Sequence, residues 1–425
     1  VTGGADRRVS FASDDRMLLW FEAAVVDPTT GDQTPSGFDQ VVAIDTATRT
    51  PLARRALPGR FGGTRTSPTR QWVAMSPITD LGAGSDTLVV DTESLATVSL
   101  VGDGQIYELR WNHLSDHLWT VAQQGTDDPS VALRRFDLTN GVDPQAQPDR
   151  EVVLPNYELA VWTGGWMTAS ADDQWLVLAM RNTMTNAPAL LVMNQTDGTY
   201  RISPGNGPVG FAADQRRVIS YYDDTSSPSG EQKLLLVEPD TGALTVVDTG
   251  VSAGKFWPLP DRNEVLMAGV LGERVRRISL DGASIVEYAT NEFFLDGMMV
   301  RQARPEVVNT RSTGQRLLAL DLDSNAVRST DIGSANDLSA LPARDQVALQ
   351  SGTGLVNLYD LARAAMSWSI ELPRPSATDA AYQLADVPCS NCESARGAAR
   401  GRAAGAPRAT LGLRLSDQLA VDQRH

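Results

Sequence analysis

Apolar and polar residues alternate in short runs along most of the chain, and a polar turn follows each run. Residues 233–248, KLLLVEPDTGALTVVD, show the pattern, because two apolar runs flank a Pro-Asp-Thr-Gly turn. Period-two alternation with turn residues between the runs is typical of β-hairpins. Further segments have the same form, at 41–52, 87–98, 132–141, 190–200, 275–286, 317–327 and 355–365. The chain is therefore predicted to be all-β.

Two turn signals recur in phase along these segments. The first is a polar residue at the end of the first strand of each hairpin, and three copies are 46 residues apart, at 45, 91 and 137. All copies are Asp45, Asp91, Asp137, Asn194, Glu238, Ser279, Asp321 and Asp360. The second signal is a polar turn before a strand, at 13–16, 67–70, 171–174, 213–216, 260–263 and 343–346. Pro and Asp favour such turns because they fix φ or hydrogen-bond the local backbone.

Together the two signals predict units of four short strands. One such sheet cannot bury both of its faces, whereas a closed ring of sheets can, so the prediction is a β-propeller. Eight four-stranded blades begin near residues 5, 60, 105, 160, 206, 252, 295 and 335, and the last ends near Pro373. Two alternatives remain open: seven blades with one unit misread, residues 298–332 having the weakest pattern, or unrelated hairpins that form a sandwich.

One turn and the strand after it resemble a known family. Residues 67–76, SPTRQWVAMS, resemble the S-P-D-G-x-x-[IVL]-[AV]-[FY]-[ST] signature of TolB-like, WD40-like (PD40-type) bacterial β-propellers, and residues 170–180 and 211–221 resemble it less closely. Thr69 and Arg70 replace the Asp-Gly of the signature. The resemblance implies a propeller domain over residues 1–374 and a periplasmic or cell-envelope location. It implies no catalytic residue, because the motif is structural.

Residues 375–425 have a different composition. They are rich in Ala, Gly and Arg and show no apolar period, which predicts a disordered tail. The two cysteines of the chain, Cys389 and Cys392, lie in this tail. A single C-x-x-C excludes a four-thiolate zinc site within one chain, although the pair could close a small disulfide in an oxidising compartment.

Charge and hydropathy narrow the class of partner. The net charge of −15 disfavours nucleic acid as a partner, because every phosphate would repel the protein. No apolar run approaches the roughly 18 residues that a membrane-spanning helix needs. The chain begins at Val1, and the first 388 residues contain no cysteine. Both features suit an exported protein, so we expect a periplasmic, cell-surface or extracellular location.

Candidate metal and catalytic residues are sparse. His113 and His117 lie in one polar turn, but two histidines alone form an incomplete metal site. Asp321, Asp323 and Asn325 have the spacing that opens a calcium-binding loop, yet the Gly and the Glu that such a loop needs are missing. Surface histidines and a hairpin turn are the favoured interpretations, so no cofactor is expected and calcium is the alternative. The chain has no G-x-S-x-G motif for a serine hydrolase.

Long connections between the second and third strands form the first candidate binding surface. They are predicted in the first five units, at 27–39, 78–86, 123–130, 182–188 and 223–232. They carry an acidic rim that could attract a basic partner or a divalent cation, namely Asp80, Asp86, Asp127, Asp128, Asp223 and Asp224. The alternative is that these carboxylates only keep the surface hydrated.

The innermost strands form the second candidate surface. They carry Arg65, Arg110, Lys255 and Arg301, which predicts a positive central channel that could hold an anionic group. Ion-paired strand ends are the alternative. The functional prediction is a non-catalytic binding or scaffold propeller with a protein or peptide partner. The alternatives are a structural subunit of an envelope or extracellular assembly, and a hydrolase or lyase with its site at the channel mouth.

Overall fold

The fold is seen in a computed structural model of the chain. It describes residues 8–13, 15–26, 29–30, 33–48, 50–57, 59, 61–77, 87–100, 105–125, 129–139, 145–159, 167–222, 231–252, 254–259, 261–269, 275–290, 299–300, 305–310, 316–332, 337–341, 345–350, 355–363 and 365–371. The predicted tail at 375–425, with Cys389 and Cys392, lies outside these residues.

The described chain folds into eight antiparallel sheets, which we call blades 1 to 8 in chain order. Blades 1 and 2 consist of β1 (Arg8–Phe11), β2 (Arg16–Val26), β3 (Gln33–Asp45) and β4 (Pro51–Ala56), then β5 (Phe61–Thr66), β6 (Trp72–Pro77), β7 (Thr87–Asp91) and β8 (Thr97–Leu100). Blade 3 consists of β9 (Gln105–Trp111), β10 (His117–Gln124), β11 (Ser130–Asp137) and β13 (Arg150–Pro155), and the short β12 (Gln145–Ala146) precedes β13 in sequence. Blade 4 consists of β14 (Tyr157–Leu159), β15 (Met167–Ala169), β16 (Trp175–Asn182), β17 (Pro188–Asn194) and β18 (Tyr200–Ser203).

The second half of the chain repeats the four-stranded unit without additions. Blades 5 and 6 consist of β19 (Asn206–Phe211), β20 (Val218–Tyr222), β21 (Glu231–Val237) and β22 (Leu244–Ser252), then β23 (Gly254–Pro258), β24 (Glu264–Gly269), β25 (Arg276–Ser279) and β26 (Ile285–Glu287). Blades 7 and 8 consist of β27 (Met299–Val300), β28 (Glu306–Thr310), β29 (Arg316–Asp321) and β30 (Val327–Asp331), then β31 (Asp337–Leu341), β32 (Gln346–Gln350), β33 (Leu355–Asp360) and β34 (Ala365–Glu371). The prediction of eight four-stranded blades is confirmed.

Two blades depart from the simple meander. In blade 4 the innermost strand has two parts, because β14 pairs with one end of β16 and β15 pairs with the other. In blade 3, β12 lies between β11 and β13 in sequence but pairs in parallel with β8, the outermost strand of blade 2. This short bridge covers part of an edge that would otherwise expose unpaired backbone groups.

The blades close into a ring around a central channel. The innermost strands contact one another in order, from β1 to β5, β9, β15, β19 and β23, and β31 contacts β1. Blades 6 and 7 pack through a shared apolar cluster that includes Leu259, Tyr288 and Val307. Each sheet takes its four ladder strands from one continuous segment, so packing rather than strand exchange joins blade 8 to blade 1 in the described chain.

The middle strands are buried on both faces, which explains their almost continuous apolar sequences. In blade 3, Leu118 and Ala122 pack towards blade 2, whereas Trp119 and Val121 pack towards blade 4. Complete burial of such a side chain stabilises the fold by about 1.5–3 kcal/mol relative to an exposed one. The described part of the chain contains no helix that could span a lipid bilayer.

The two turn signals of the sequence meet in space. The turns between strands one and two and between strands three and four emerge at the same end of each blade, which we call the turn face. The residue after the strand-ending polar residue donates its N–H to the first turn: Thr92 to the Gln71 carbonyl at 2.8 Å, and Gln195 to the Gln174 carbonyl at 2.8 Å. Equivalent bonds form in blades 1, 3, 6, 7 and 8. Blade 5 has Pro239 there, which has no N–H to donate.

The opposite end of the blades, which we call the loop face, carries the connections between strands two and three. They are shorter than predicted, because β3, β10 and β21 extend into the segments 33–39, 123–124 and 231–232. In blades 1 to 5 the connections cover 27–32, 78–86, 125–129, 183–187 and 223–230, against 270–275, 311–315 and 351–354 in blades 6 to 8. The connections of blades 2 and 5 are longer than those of blades 6 to 8, whereas those of blades 1, 3 and 4 are of similar length to them. The predicted difference in loop length between the two halves of the ring therefore holds for blades 2 and 5.

Candidate functional site

The predicted acidic rim lies outside the described residues. This applies to Asp80, Asp86, Asp127, Asp128, Asp223 and Asp224. The strands that flank these loops are described and all end at the loop face. The rim therefore stays a prediction from the sequence.

Two of the four predicted channel residues occupy the same level of the ring. Arg65 on β5 lies two residues before Ser67, which opens the first turn of blade 2, and Arg110 on β9 lies two residues before Asn112, which does so in blade 3. The two strands are in contact, and the indole Nε1 of Trp111 donates to the Arg65 carbonyl at 2.8 Å. Both arginines therefore lie at the turn-face mouth of the channel.

Of the other two predicted channel residues, Lys255 lies at a different level of the ring. Lys255 on β23 lies four residues before Leu259, which opens the corresponding turn of blade 6. It is therefore two residues, or roughly 7 Å along the strand, closer to the loop face than the arginines are. Arg301 lies outside the described residues. The positive group that the structure assembles consists of Arg65 and Arg110.

A β-bulge determines which way Arg110 faces. The register between β9 and β10 shifts so that Glu108 pairs with Val121 while Ile106 pairs with Ala122. Because of this shift, Ile106 and Leu109 both reach the core that blades 2 and 3 share. Arg110, the next residue after Leu109, points away from that core, as residues alternate along a strand.

The Arg110 guanidinium has an unusual environment. The side chain is half-buried, and its Nε atom is fully buried without a hydrogen-bond acceptor among the described residues. Burial lowers the pKa of Arg110, the positive charge of Arg65 lowers it further, and Glu108 acts in the opposite direction. Arg65 itself is exposed. One arginine is thus held inside the channel wall while its neighbour reaches solvent.

The two histidine rings make separate local contacts. The imidazole Nε2 of His113 lies 3.2 Å from the Ala169 carbonyl of blade 4, and its main-chain N–H donates to Asp173 Oδ1 at 2.6 Å. Burial and then the charge of Arg110 lower the pKa of His113, so the ring is neutral at pH 7. The Nδ1 atom of His117 lies 2.8 Å from Ser115 Oγ. Each ring is therefore used in a different local contact.

The residues of the predicted calcium alternative are used in local contacts. Asp321 Oδ1 accepts the N–H groups of Asp323 at 3.0 Å and Ser324 at 2.7 Å, which also lower the pKa of Asp321. Asp323 pairs with Arg262 at 2.6 Å, and Asn325 has a φ of 59°. These residues form a hairpin turn. Among the described residues no group of three or more His, Cys, Asp or Glu side chains could hold a metal ion.

Sequence reasoning missed the contacts that tie neighbouring blades together at the turn face. Asp173 of blade 4 accepts two N–H groups of blade 3, those of His113 at 2.6 Å and Leu114 at 2.8 Å. Gln215 of blade 5 accepts the N–H of Ala171 at 2.7 Å. Both acceptors occupy the left-handed position of the first turn, with φ of 57° and 56°. Their recurrence in the second turn signal is the pattern that could have revealed them.

Comparison with known proteins supports the fold. No protein-family model matches the chain, and the curated proteins give no match either. Among solved structures, dihydro-heme d1 dehydrogenase NirN in complex with DHE is similar at 16% identity with a TM-score of 0.53, covering 79% of this chain and 72% of that chain. The structure of this enzyme supports the assignment of the chain as a β-propeller.

Two further solved structures have lower TM-scores. The β-propeller domain of Cps50 (Swd1) from Myceliophteria thermophila is 13% identical with a TM-score of 0.46, covering 69% of this chain and 94% of that chain. An acylaminoacyl peptidase from Pyrococcus horikoshii is 12% identical with a TM-score of 0.46, covering 77% of this chain and 53% of the peptidase. This chain thus spans about half the length of the peptidase. At these identities the likeness concerns the fold and not the activity.

Proposed function

We propose that the protein is a non-catalytic binding or scaffold propeller of the bacterial cell envelope or exterior. Its loop face would present acidic connections to a basic protein or peptide partner. The location is supported by the resemblance of residues 67–76 to TolB-like propellers. The binding role is supported by the difference between the two faces of the ring.

The difference between the faces is the observation that carries the proposal. At the turn face, the turns bond to each other within seven blades, and Asp173 and Gln215 bond to turns of the preceding blades. The main-chain donors there are largely used. The loop face carries the connections at 78–86, 125–129 and 223–230, whose sequences contain the six aspartates of the predicted rim. Variable loops on a rigid scaffold are where binding surfaces usually arise.

The charge of the rim favours a basic partner. Carboxylates grouped at one end of a ring attract positive charge and accelerate its association, whereas they repel other acidic surfaces. The attraction weakens as salt is added, because charges at a surface are screened over roughly 8 Å at physiological ionic strength. Binding at the loop face should therefore decrease as ionic strength rises.

Two variants of equal net charge test the proposal. Asp223→Asn with Asp224→Asn neutralises two carboxylates of the loop face, and Glu93→Gln with Asp261→Asn neutralises two exposed carboxylates of the turn face. Tagged wild type and both variants are used to recover partners from an envelope fraction, with quantitative mass spectrometry. We expect a basic partner that the wild type and the turn-face variant recover equally and the loop-face variant recovers about tenfold less well. Equal recovery by both variants contradicts the proposal.

A further inference from the structure

We propose that Arg65 and Arg110 form a binding site for a carboxylate at the turn-face mouth of the channel. The site lies at the turn-face end of the channel, where the innermost strands β5 and β9 are in contact, and so at the end of the ring opposite to the loop face. It therefore does not depend on the partner proposed for the acidic loops. Its ligand would be a monoanion that carries a carboxylate, such as a peptide with a free C-terminus.

The first argument is the unused hydrogen-bonding capacity of Arg110. A guanidinium has five N–H donors, and a buried donor without an acceptor is unfavourable. Other described arginines with a buried Nε compensate: Arg16 donates to the Glu93 carbonyl at 2.8 Å, and Arg277 donates to the Leu322 carbonyl. The buried Nε of Arg110 has no acceptor among the described residues. A ligand oxygen that accepts from the terminal N–H groups of the same guanidinium would offset the cost of this buried donor.

The second argument is charge. Among the described residues, Glu108 is the carboxylate that acts on Arg110, and it does so from the same strand. His113 is neutral at pH 7 because burial and Arg110 lower its pKa. Asp173, the acid that acts on His113, already accepts the N–H groups of His113 and Leu114. Among these described groups, two guanidiniums and one carboxylate leave one positive charge, which matches a carboxylate better than it matches a phosphate dianion.

The third argument is geometry. Arg65 and Arg110 occupy equal positions on adjacent strands, and the bond from Trp111 Nε1 to the Arg65 carbonyl fixes these strands relative to each other. The Arg65 side chain is exposed, whereas the Nε of Arg110 is buried in the channel wall. A ligand can therefore enter from solvent at Arg65 and be held in the channel by Arg110. The planar fork of a guanidinium matches the two oxygens of a carboxylate, which a lysine ammonium does not.

Small probes test the site in the full chain by isothermal titration calorimetry at low ionic strength and pH 7. N-acetylglycine carries a terminal carboxylate, N-acetylglutamate amide carries a side-chain carboxylate, and N-acetylglycinamide carries none. We expect at least one of the two carboxylates to bind saturably and the neutral amide not to bind. Binding of either carboxylate supports the site, and the stronger binder identifies the source of the ligand. Tighter binding of inorganic phosphate than of both carboxylates overturns the proposal.

Three variants assign the binding to the two arginines. Arg110→Lys keeps the charge but loses the planar fork, and we expect about tenfold weaker binding. Arg65→Gln alters an exposed side chain and should weaken binding several-fold. Arg216→Gln removes an exposed charge from the same face, away from the mouth, and should leave binding unchanged.

The outcomes that overturn the proposal are specific. They are equal binding of N-acetylglycinamide, wild-type affinity in both Arg110→Lys and Arg65→Gln, or no saturable binding of either carboxylate at millimolar concentration. Thermal melting shows whether each variant is folded. If Arg110→Lys is not folded, Arg65→Gln decides the result, because its side chain lies in solvent.

Discussion

In blades 1 to 4, 7 and 8, a single Asp or Asn side chain organises the turn between the third and fourth strands. Asp45 Oδ1 accepts the N–H groups of Ala47 at 2.9 Å and Thr48 at 2.7 Å, and Asn194 Oδ1 accepts that of Thr196 at 2.8 Å. Short side chains with an oxygen on Cγ make such bonds to the residues that follow them. This is why Asp and Asn recur at the end of the strand, and why the repeat could be recognised.

These bonds predict how stability depends on pH. Hydrogen bonds lower the pKa of Asp321, first that from the Ser324 N–H. A carboxyl with a lowered folded pKa stabilises the protein above its ordinary pKa of about 3.9, and this contribution is lost as pH falls through the folded value. Asp321→Asn keeps the acceptor oxygen, so stability at pH 7 should change little and fall less in acid. Urea unfolding at pH 7 and at pH 3 measures both.

The reciprocal variant provides the control. Asn194→Asp places a carboxylate where blade 4 has a neutral acceptor, and the main-chain donors of the turn are the same in kind. Stability should then fall more steeply in acid than in the wild type. If Asp321→Asn and Asn194→Asp change the acid dependence in the same direction, the hydrogen bonds are not its cause.

A glycine in the same turns tests the contacts between blades. Gly242 has a φ of 77°, and a Cβ there would lie 2.7 Å from a terminal nitrogen of Arg201, which reaches across from blade 4 to the Asp240 carbonyl. Gly282 has a φ of 76° with open space around it. Gly242→Ala should therefore cost about 0.5–1.5 kcal/mol more than Gly282→Ala, because it adds the loss of a hydrogen bond to the same backbone strain. Chemical denaturation measures the difference.

Removal of Arg201 tests whether its hydrogen bond causes the difference between the two glycine variants. In an Arg201→Ala background the hydrogen bond to Asp240 is already absent. The costs of Gly242→Ala and Gly282→Ala should then become equal, since only backbone strain remains. A difference that persists without Arg201 would show that another neighbour of Gly242 is responsible.

At the scale of the structural element, each blade is one repeat of the fold. Side chains of the first turns, such as Asp173 and Gln215, connect neighbouring blades. Asp173→Ala removes the acceptor of the His113 and Leu114 N–H groups. Hydrogen exchange of these two amides should accelerate by about tenfold or more. The N–H of Ala171, which donates to Gln215 of blade 5, serves as the internal control and should exchange as before. Acceleration of all three amides would indicate general loosening of the blades.

The sequence predicts the blades well because two local signals hydrogen-bond to each other within a unit, as Thr92 does to Gln71. It does not predict the division of the innermost strand of blade 4 into β14 and β15, because both parts have strand-like sequences. Nor does it predict β12, since a bridge of two residues has no pattern of its own. The sequence also does not predict the first part of β3 in blade 1, because residues 33–39 are mostly polar.

For the candidate site too, the sequence predicts what depends on spacing along the chain and not what depends on packing between blades. The proximity of Arg65 and Arg110 follows from their equal distance to the turn signals, which the sequence contains. The bulge that pairs Glu108 with Val121 depends on how β9 packs against blade 2, so the burial of Arg110 could not be foreseen. The sequence pattern shows that Lys255 lies on an innermost strand, as the two arginines do, but it does not show the level along that strand. In the structure Lys255 lies closer to the loop face than Arg65 and Arg110 do.

At the scale of the whole molecule, the ring has one joint that differs from the others. Neighbouring blades are consecutive in the chain everywhere except between blades 1 and 8, which meet through contacts of β1 with β31 and β32. In repeat architectures, stability is approximately a sum of unit and neighbour terms, and local opening begins where these terms are smallest. Within the described chain, hydrogen exchange should therefore be fastest in blades 1 and 8 and slowest in blades 3 to 5.

A circular permutant separates the effect of the joint from that of the sequence. A short linker joins Glu371 to Arg8, and the chain is opened between Ser203 and Asn206, which end β18 and begin β19. The covalent connection then closes the joint of blades 1 and 8 and removes the one between blades 4 and 5. If the missing connection controls opening, fast exchange moves to blades 4 and 5 while the folded permutant keeps its β-sheet circular dichroism. If blades 1 and 8 still exchange fastest, their own packing is weaker, and the ring is held together by unequal blades instead of by its connections.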